Sequence, residues 1–363
     1  MNNLKKCLAL LLALCLLLGM SSAFAMVVTT TTGTTTAVGT DGEQPAVVSM
    51  AAVGGTPYLL HSDGRLTSVN TQTREEALLG NVFFSAGYMD DAALQGALTG
   101  DKAALAPVEL LLVADGRLMG LCLANGALYT LLDDTGAFAP APAAATMDVA
   151  ALRTADGSAR LSVLDSCVQD GKLYLLTRDD TSGQMATTVR SLDLATGEAK
   201  AYAAQNLQDI ETYKDGKLLA RRFDMNALYT ASTQGSIPAS EYGTFDPAAD
   251  AFSPLGTFAT DSLLGGYAIS GTAYSAQNDT LYCISGSRIE GLTLATGEKR
   301  TSAYTSEGMF GNMGGSVNTA YVEGGFYLRG DQSGYQLFAL DTDAVKKGAL
   351  RIFGEFGSEA HQS

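Results

Sequence analysis

Three arginine–aspartate pairs are the residues in this sequence best suited to bind a ligand. In each pair the arginine closes a short apolar run and an aspartate follows at once or after one residue: Arg178 and Asp179, Arg222 and Asp224, and Arg329 and Asp331. A guanidinium group presents a planar fork of N–H donors that suits carboxylates and other polar groups. In a chain with surplus acid, these arginines predict a site for a polar or acidic ligand.

The same pairs are also compatible with a purely structural role. Each arginine could pair with its own or a neighbouring aspartate, as an exposed salt bridge worth no more than about 1 kcal/mol. The ligand hypothesis adds apolar contacts from residues expected on nearby loops, namely Tyr229, Tyr242, Met309 and Phe310. A related sequence, His61-Ser62-Asp63, occupies the same position in the first repeat.

The sequence offers little for catalysis or metal binding. After removal of the leader described below, only His61 and His361 could serve as an imidazole base or ligand, and no Cys-x-x-Cys motif, nucleophile elbow or phosphate loop occurs. The acidic pairs Asp90-Asp91, Asp133-Asp134 and Asp179-Asp180 lack calcium-loop spacing and are interpreted as solvated turns. We therefore predict a non-enzymatic protein without metal or cofactor.

Three cysteines, Cys122, Cys167 and Cys283, remain after the leader, and they lie far apart in the sequence. An odd number of distant cysteines gives no disulfide framework. Because apolar residues flank Cys122 and Cys283, we expect buried, unbridged thiols, with these two on second strands of their repeats and Cys167 on a first strand.

The elements that must position these residues are short strands joined by glycine-containing turns. Tight turns recur every 45 to 63 residues, at Gly54-Gly55, Asp115-Gly116, Asp170-Gly171, Asp215-Gly216, Asn278-Asp279 and Glu323-Gly324-Gly325. A second turn follows a third apolar run, most clearly in the matching segments Leu192–Glu198 and Leu292–Glu298. This spacing is typical of the four-stranded blades of a β-propeller.

Each repeat is expected to contain strands A to D; in the third these are 161–168, 172–178, 187–193 and 198–203. Six repeats are predicted, beginning near Ala46, Val108, Leu161, Leu207, Tyr267 and Ser316. The last would close with residues 349–353 as its strand D. A seventh, degenerate unit within 80–107 is the alternative. The fold class predicted is thus an all-β propeller of four-stranded blades, which stack because one blade cannot bury both faces alone.

Two units carry a family resemblance. The segments "DGKLYLL…VRSLDLATGEAKAY" and "DTLYCISGSRIEGLTLATGEKRTSAY" resemble the quinoprotein-like (PQQ-type) repeats of secreted bacterial propellers, and the resemblance extends over about 46–353. It implies the propeller fold. The chain has no tryptophan, whereas these repeats usually lead into one that docks neighbouring blades. The resemblance therefore implies neither the quinone cofactor nor the dehydrogenase activity.

The repeat pattern also predicts which face binds. The A–B and C–D turns share one face and are short, whereas the B–C loops and blade connections share the other and include the long segments 81–107, 139–160, 179–186, 224–240 and 305–315. Long loops on a rigid scaffold commonly carry binding residues, although they can equally be tolerated insertions. Because all B strands run in one direction, the arginine–aspartate pairs are expected to form a partial ring of mixed charge on the long-loop face.

The amino terminus indicates the compartment. Lys5 and Lys6 precede an apolar run and the small-residue site Ala23-Phe24-Ala25, as in a secretory signal peptide spanning 1–25. The apolar run is too short for a membrane anchor, and Leu14 disfavours lipidation at Cys15. Residues 26–45, rich in Thr and Gly, are expected to form a disordered tether, and 354–363 a tail or the start of a further segment.

Charge limits the partners. The net charge of −15 becomes −17 once the two leader lysines are removed, so a nucleic-acid partner is not expected. The first functional hypothesis is a secreted, extracellular or cell-envelope binding or scaffold module for a protein, peptide or glycan. The alternatives are the front part of a longer extracellular solute-binding, transport-associated protein, and a quinone-dependent or lyase-type propeller enzyme.

Overall fold

The computed structural model describes residues 45–73, 75–84, 91–183, 186–203, 205–223, 240–257, 269–285, 288–301, 318–323, 325–331, 334–340 and 352–356. Within them, most strands belong to six four-stranded antiparallel sheets that follow one another along the chain. In every sheet the strand order equals the chain order, so each sheet is a simple meander. We number the sheets from first to sixth.

The first three sheets and a short parallel pair occupy the amino-terminal half. The first sheet contains β1 (Val47–Val53), β2 (Thr56–His61), β3 (Arg65–Val69) and β4 (Glu76–Asn81). The parallel pair is β5 (Phe83–Phe84) and β6 (Pro107–Val108). The second sheet contains β7 (Leu110–Ala114), β8 (Arg117–Leu121), β9 (Ala127–Leu132) and β10 (Phe138–Thr146). The third contains β11 (Ser162–Gln169), β12 (Lys172–Arg178), β13 (Thr187–Asp193) and β14 (Ala199–Ala201).

The other three sheets repeat this plan. The fourth contains β15 (Leu207–Thr212), β16 (Leu218–Arg222), β17 (Glu241–Asp246) and β18 (Ala251–Thr257). The fifth contains β19 (Ile269–Ser275), β20 (Thr280–Ser285), β21 (Arg288–Thr293) and β22 (Glu298–Thr301). The sixth contains β23 (Asn318–Val322), β24 (Phe326–Asp331), β25 (Gly334–Leu340) and β26 (Ile352–Phe356).

Local turn chemistry explains the meanders. At the A–B turn of the third sheet Asp170 and Gly171 have φ angles of 50° and 73°. Two successive residues with positive φ match the right-handed twist of the flanking strands, and Asp and Gly tolerate this conformation better than most residues. At the C–D turns, Gly197 and Gly297 have φ angles of 80° and 69°, which confirms their predicted left-handed conformation.

The sheets form a ring through their first strands. Each first strand contacts that of the next sheet, from β1 through β7, β11, β15 and β19 to β23, and β23 contacts β1. The closure is apolar, because Val322 of the sixth sheet packs with Val47, Leu59 and Val69 of the first. The predicted all-β propeller of four-stranded sheets is therefore confirmed.

Apolar layers between neighbouring sheets form the core. Leu60 and Leu66 of the first sheet pack on Leu111, Leu118 and Leu131 of the second. Equivalent clusters join the second sheet to the third and the third to the fourth. Burial of both faces of a thin sheet by its neighbours explains why the repeats fold together rather than alone.

The segment expected to hide a seventh unit has another structure. Its described residues, 80–84 and 91–107, contain the end of β4, the β5–β6 pair, helix α1 (Asp91–Ala97) and a 3₁₀ helix (Gly100–Ala104). The alternative of a four-stranded unit at 80–107 is therefore wrong for this described part. Leu94 of α1 is fully buried beside Phe83 and Cys122, so α1 packs against the second sheet next to the end of β8.

Several boundaries differ from the sequence predictions. Strand D of the third sheet, β14, is limited to three residues, and the last strand, β26, lies at Ile352–Phe356, three residues further than expected. Among the cysteines, Cys167 lies on β11 and Cys283 on β20 as predicted, whereas Cys122 follows the end of β8 by one residue. None of the three forms a disulfide bond; Cys122 and Cys283 are buried, but Cys167 is only half-buried. In the described part of the chain, no helix is long and apolar enough to cross a membrane.

Candidate functional site

A cavity of about 530 Å³ opens beside the first strands of the first three sheets. Its polar and charged lining residues are Ser49, Glu109, Arg160, Ser162, Asp165, Ser166, Arg178 and Asp180. The cavity lies where first strands begin and second strands end, because Ser162 starts β11 and Arg178 ends β12. We call it the inner-strand cavity; it is on the long-loop face, and its volume falls within the range usual for ligand pockets.

One wall of the inner-strand cavity carries a buried ion pair. Nη1 of Arg160 lies 2.9 Å from Oε1 and 3.0 Å from Oε2 of Glu109. The carboxylate side chain is only 4% exposed and the arginine side chain 18%. Burial raises the pKa of Glu109, and the attraction of Arg160 opposes that rise without cancelling it. The pair links the residue before β7 to the residue two positions before β11.

A second polar chain crosses the end of the third sheet. Nε of Arg178 donates to Oδ1 of Asp180 at 2.5 Å, and the Ser162 hydroxyl donates to Oδ2 of the same carboxylate. The side chains of Arg178 and Asp180 are 23% and 42% exposed, so a ligand in the cavity can reach both. This wall of the cavity therefore presents a guanidinium, a carboxylate and a hydroxyl side by side.

The remaining lining is largely apolar. Met50, Phe84, Leu110 and Leu123 face the inner-strand cavity from the first strand, the β5–β6 insertion and the second sheet. Leu123 is buried, whereas the other three are half-buried. A mixed lining of this kind can receive a ligand with both polar groups and an apolar face.

Carboxylates on β11 and β15, the first strands of the third and fourth sheets, continue the polar region beyond the cavity. Asp165, which lines the cavity, accepts hydrogen bonds of 2.8 Å from the backbone amides of Ser166 and Ile210. Burial, reinforced by the nearby Asp209, raises the pKa of Asp165 to about 8. Burial likewise raises the pKa of Glu211. Asp209 itself forms an ion pair with Arg221 on the neighbouring strand of its own sheet.

The predicted arginine–aspartate pairs do not share one environment. Arg178 lines the cavity, but its partner is Asp180; Asp179 instead accepts from the amide and hydroxyl of Thr181, at 2.9 and 2.6 Å. Arg222 pairs with Glu241 through Nη2 at 2.6 Å and lies 4.4 Å from the ring centre of Phe252. It is not among the residues that line the inner-strand cavity.

Of the other predicted site residues, Tyr242 lies elsewhere than expected, and the structure does not describe the side chains of the rest. Tyr242 is not on a loop: it lies in β17 and is buried in a cluster with Leu219 and Cys283. Arg329 and Asp331 belong to β24, but the structure does not describe their side chains. Outside the described residues are Asp224, Tyr229, Met309 and Phe310. The ring of mixed charge thus stays a prediction.

His61 occupies the position in the first repeat that corresponds to the arginines, and its hydrogen bonds join strands of the first sheet. Its Nε2 lies 3.0 Å from Oε1 of Glu76 and 3.0 Å from Oγ1 of Thr67, and the residue is buried. The described residues contain no group of three or more histidine, cysteine, aspartate or glutamate side chains placed to hold a metal ion.

Sequence reasoning missed Glu109, Arg160, Ser162 and Asp180. The Glu109–Arg160 pair joins residues 51 positions apart, so no local motif could reveal it. Asp180 was visible in the Asp179-Asp180 pair but was interpreted as part of a solvated turn. Their place in the repeat was the available signal: each missed residue lies within two positions of the start of a first strand or the end of a second strand, on the long-loop face.

Comparison with known proteins gives similarity of architecture alone. No family model matches the chain, and no curated protein matches it. Among solved structures, the WD40 repeats of RRP9 match over 88% of this chain and 82% of that one, at 7% identity and a TM-score of 0.43. A nidogen/laminin complex covers 86% and 80%, at 10% identity and 0.37. The computationally designed Ika8 protein covers 82% and 72%, at 12% identity and 0.38.

Proposed function

We propose that this chain is a secreted β-propeller binding module of six blades, one for each four-stranded sheet, and that its ligand occupies the inner-strand cavity. The leader-like amino terminus supports secretion, and the ring of first strands supports the blade number. In this proposal the propeller acts by binding, without catalysis, and keeps only the fold of the quinoprotein-like repeats that it resembles.

One observation carries the proposal: the partly exposed Arg178–Asp180 pair lies on the wall of a 530 Å³ cavity whose lining is half apolar. An arginine that bonds a carboxylate through Nε still has the N–H donors of its two Nη atoms. Because Arg178 ends β12 and Asp180 bonds both Arg178 and Ser162, the pair is in place before a ligand binds.

The experiment compares two arginines that end neighbouring second strands. Wild type, Arg178→Ala and Arg222→Ala are applied to an array of glycans and peptides, after urea unfolding has shown that all three are folded. We expect Arg178→Ala to lose about tenfold to a hundredfold in affinity, the effect of one charged hydrogen bond of about 1.5–3 kcal/mol. Arg222→Ala is the matched control, since Arg222 lies outside the cavity lining, and should bind like wild type.

Equal binding by wild type and Arg178→Ala would contradict the proposed site. A loss caused by Arg222→Ala but not by Arg178→Ala would move the site to the outer strands of the fourth sheet. The array result therefore separates a ligand in the inner-strand cavity from one elsewhere on the long-loop face.

A further inference from the structure

We infer that the ligand of the inner-strand cavity is a neutral, polyhydroxylated molecule, a saccharide in chemical class, rather than an ion. This inference rests on the proposed function and assigns the ligand class of the same site. It narrows the expectation of a polar or acidic ligand, drawn from the three arginine–aspartate pairs, to a polar ligand without charge.

Charge pairing inside the inner-strand cavity argues against an ionic ligand. Both arginines that line it are already paired with carboxylates that line it, Arg160 with Glu109 at 2.9 Å and Arg178 with Asp180 at 2.5 Å. An anion would have to compete with Glu109 or Asp180, and a cation with an arginine. Displacement of Glu109 or Arg160 would leave a buried charge without its partner, which is costly where burial limits hydration. The more exposed Arg178–Asp180 pair imposes a smaller penalty of the same kind.

Asp165 is the one other ionisable side chain among the residues that line the cavity. Its raised pKa, caused by burial and by Asp209, keeps much of this carboxyl protonated near neutral pH. With the two arginines balanced by two carboxylates, the cavity then carries little net charge. A neutral ligand suits such a site better than either kind of ion.

The hydrogen-bonding groups that remain match hydroxyls. Arg178 uses Nε toward Asp180, which leaves the N–H donors of its two Nη atoms directed elsewhere. Asp180 accepts one bond at each oxygen, from Arg178 and from Ser162, and each oxygen can accept another. The Ser162 oxygen, used as a donor, can still accept. Donors and acceptors therefore alternate along this wall, and neighbouring sugar hydroxyls, which both donate and accept, can satisfy them without breaking either ion pair.

The apolar lining fits the other aspect of a sugar ring. Phe84, Met50 and Leu110 are half-buried and line the same cavity. The C–H groups of a pyranose form an apolar face that can pack on such side chains, while its hydroxyls reach the polar wall.

The test uses arrays of neutral glycans, acidic glycans and peptides, followed by calorimetry with the neutral oligosaccharide that gives the strongest signal. We expect neutral glycans to bind, with an affinity that changes less than about twofold between low salt and about 0.5 M NaCl, because no net charge is exchanged. Ser162→Ala and Asp180→Ala should each weaken binding about tenfold or more. Arg117→Ala, the control, should change it less than about twofold, because Arg117 begins β8, at the opposite end of a second strand from the cavity, and pairs there with Asp134.

Three results would overturn the inference, and they can be told apart. If acidic glycans or charged peptides bind instead, with affinity that falls as salt rises and is lost in Arg178→Ala, the cavity is the site but the ligand is ionic. If neutral glycans bind and no cavity variant weakens them, both the ligand assignment and the proposed site are wrong. Failure of every neutral glycan to bind folded wild type also overturns the saccharide assignment.

Discussion

The carboxylate of Asp165 on β11 accepts a hydrogen bond of 2.8 Å from the backbone amide of Ile210 on β15, the first strand of the next sheet. Ser49 makes the same kind of bond between the first and second sheets, because its hydroxyl oxygen accepts from the amide of Leu111 at 2.8 Å. Both residues directly follow an irregularity in strand register. A bulge re-aims the side chain next to it, and here the re-aimed polar group joins two sheets.

The burial of Asp165 makes stability depend on pH, and the bond from Ile210 opposes that effect only in part. The pKa of Asp165 is raised from 3.8 to about 8, first by burial and then by Asp209. In this range the folded protein holds a proton that the unfolded chain has released. The stabilisation is therefore fully present below about pH 4 and is lost progressively as the pH rises to about 8.

Asp165→Asn removes this titration. We expect the free energy of unfolding of the variant, relative to wild type, to increase from about pH 5 to about pH 8, measured by urea unfolding across that range. Ser49→Ala serves as the control, because it removes an equivalent inter-sheet bond without a titrating group. A pH-independent difference between Asp165→Asn and wild type would contradict the assignment.

The Ser49 bond should have a measurable effect on stability. Ser49 is 3% exposed, so Ser49→Ala leaves the amide of Leu111 without this acceptor in a buried place. We expect a loss of about 1 to 3 kcal/mol in the free energy of unfolding. Urea unfolding with an unchanged m-value checks it, and a loss below the error of the measurement would show that another acceptor replaces the hydroxyl.

The two equivalent C–D glycines should respond differently to alanine. Both have positive φ, so alanine costs about 1 to 2 kcal/mol of backbone strain at either position. A β-carbon at Gly297 would meet no atom of the described residues within 4 Å, whereas one at Gly197 would lie 2.0 Å from the carbonyl oxygen of Thr146. The Gly197 carbonyl also accepts from the Asp148 amide at 2.8 Å, which fixes the turn against the second sheet.

We therefore expect Gly197→Ala to destabilise by about 1 to 3 kcal/mol more than Gly297→Ala, the range usual for overpacking. Thermal and urea unfolding of the two variants, side by side, provide the comparison. Equal losses would mean that the third sheet can move away from the second without cost. Substitution of either glycine by valine is expected to destabilise by at least about 1 to 3 kcal/mol.

The thiols should be slow to react in the native protein. Burial raises the pKa of both Cys167 and Cys283, which lowers the fraction of reactive thiolate. Titration near pH 8 of the chain without its first 25 residues should find almost no fast thiol, and three after denaturation. Half-buried Cys167 should be the first to react; prompt labelling of Cys283 instead would contradict its burial in β20.

The sequence by itself determined the parts of this protein that depend on a few neighbouring residues. Strands β12 and β13 begin and end where the pattern predicts, and β15 begins at Leu207 as expected. The left-handed turns at Asp170-Gly171 and Gly197 were equally predictable. A hairpin turn is specified by the φ and ψ angles of two residues, so its chemistry is visible in a short window. Repetition of that window then indicates the ring.

Only the tertiary structure decided the cavity. The pairing of Glu109 with Arg160 and the placement of Phe84 depend on how three sheets stack around the ring. Arg178 pairs with Asp180 rather than with the adjacent Asp179, whose carboxylate accepts hydrogen bonds from the amide and the hydroxyl of Thr181. Tyr242, expected on a loop, lies in β17 because its side chain is buried against the fifth sheet. Contacts between distant residues depend on sheet packing, whose geometry no local pattern encodes.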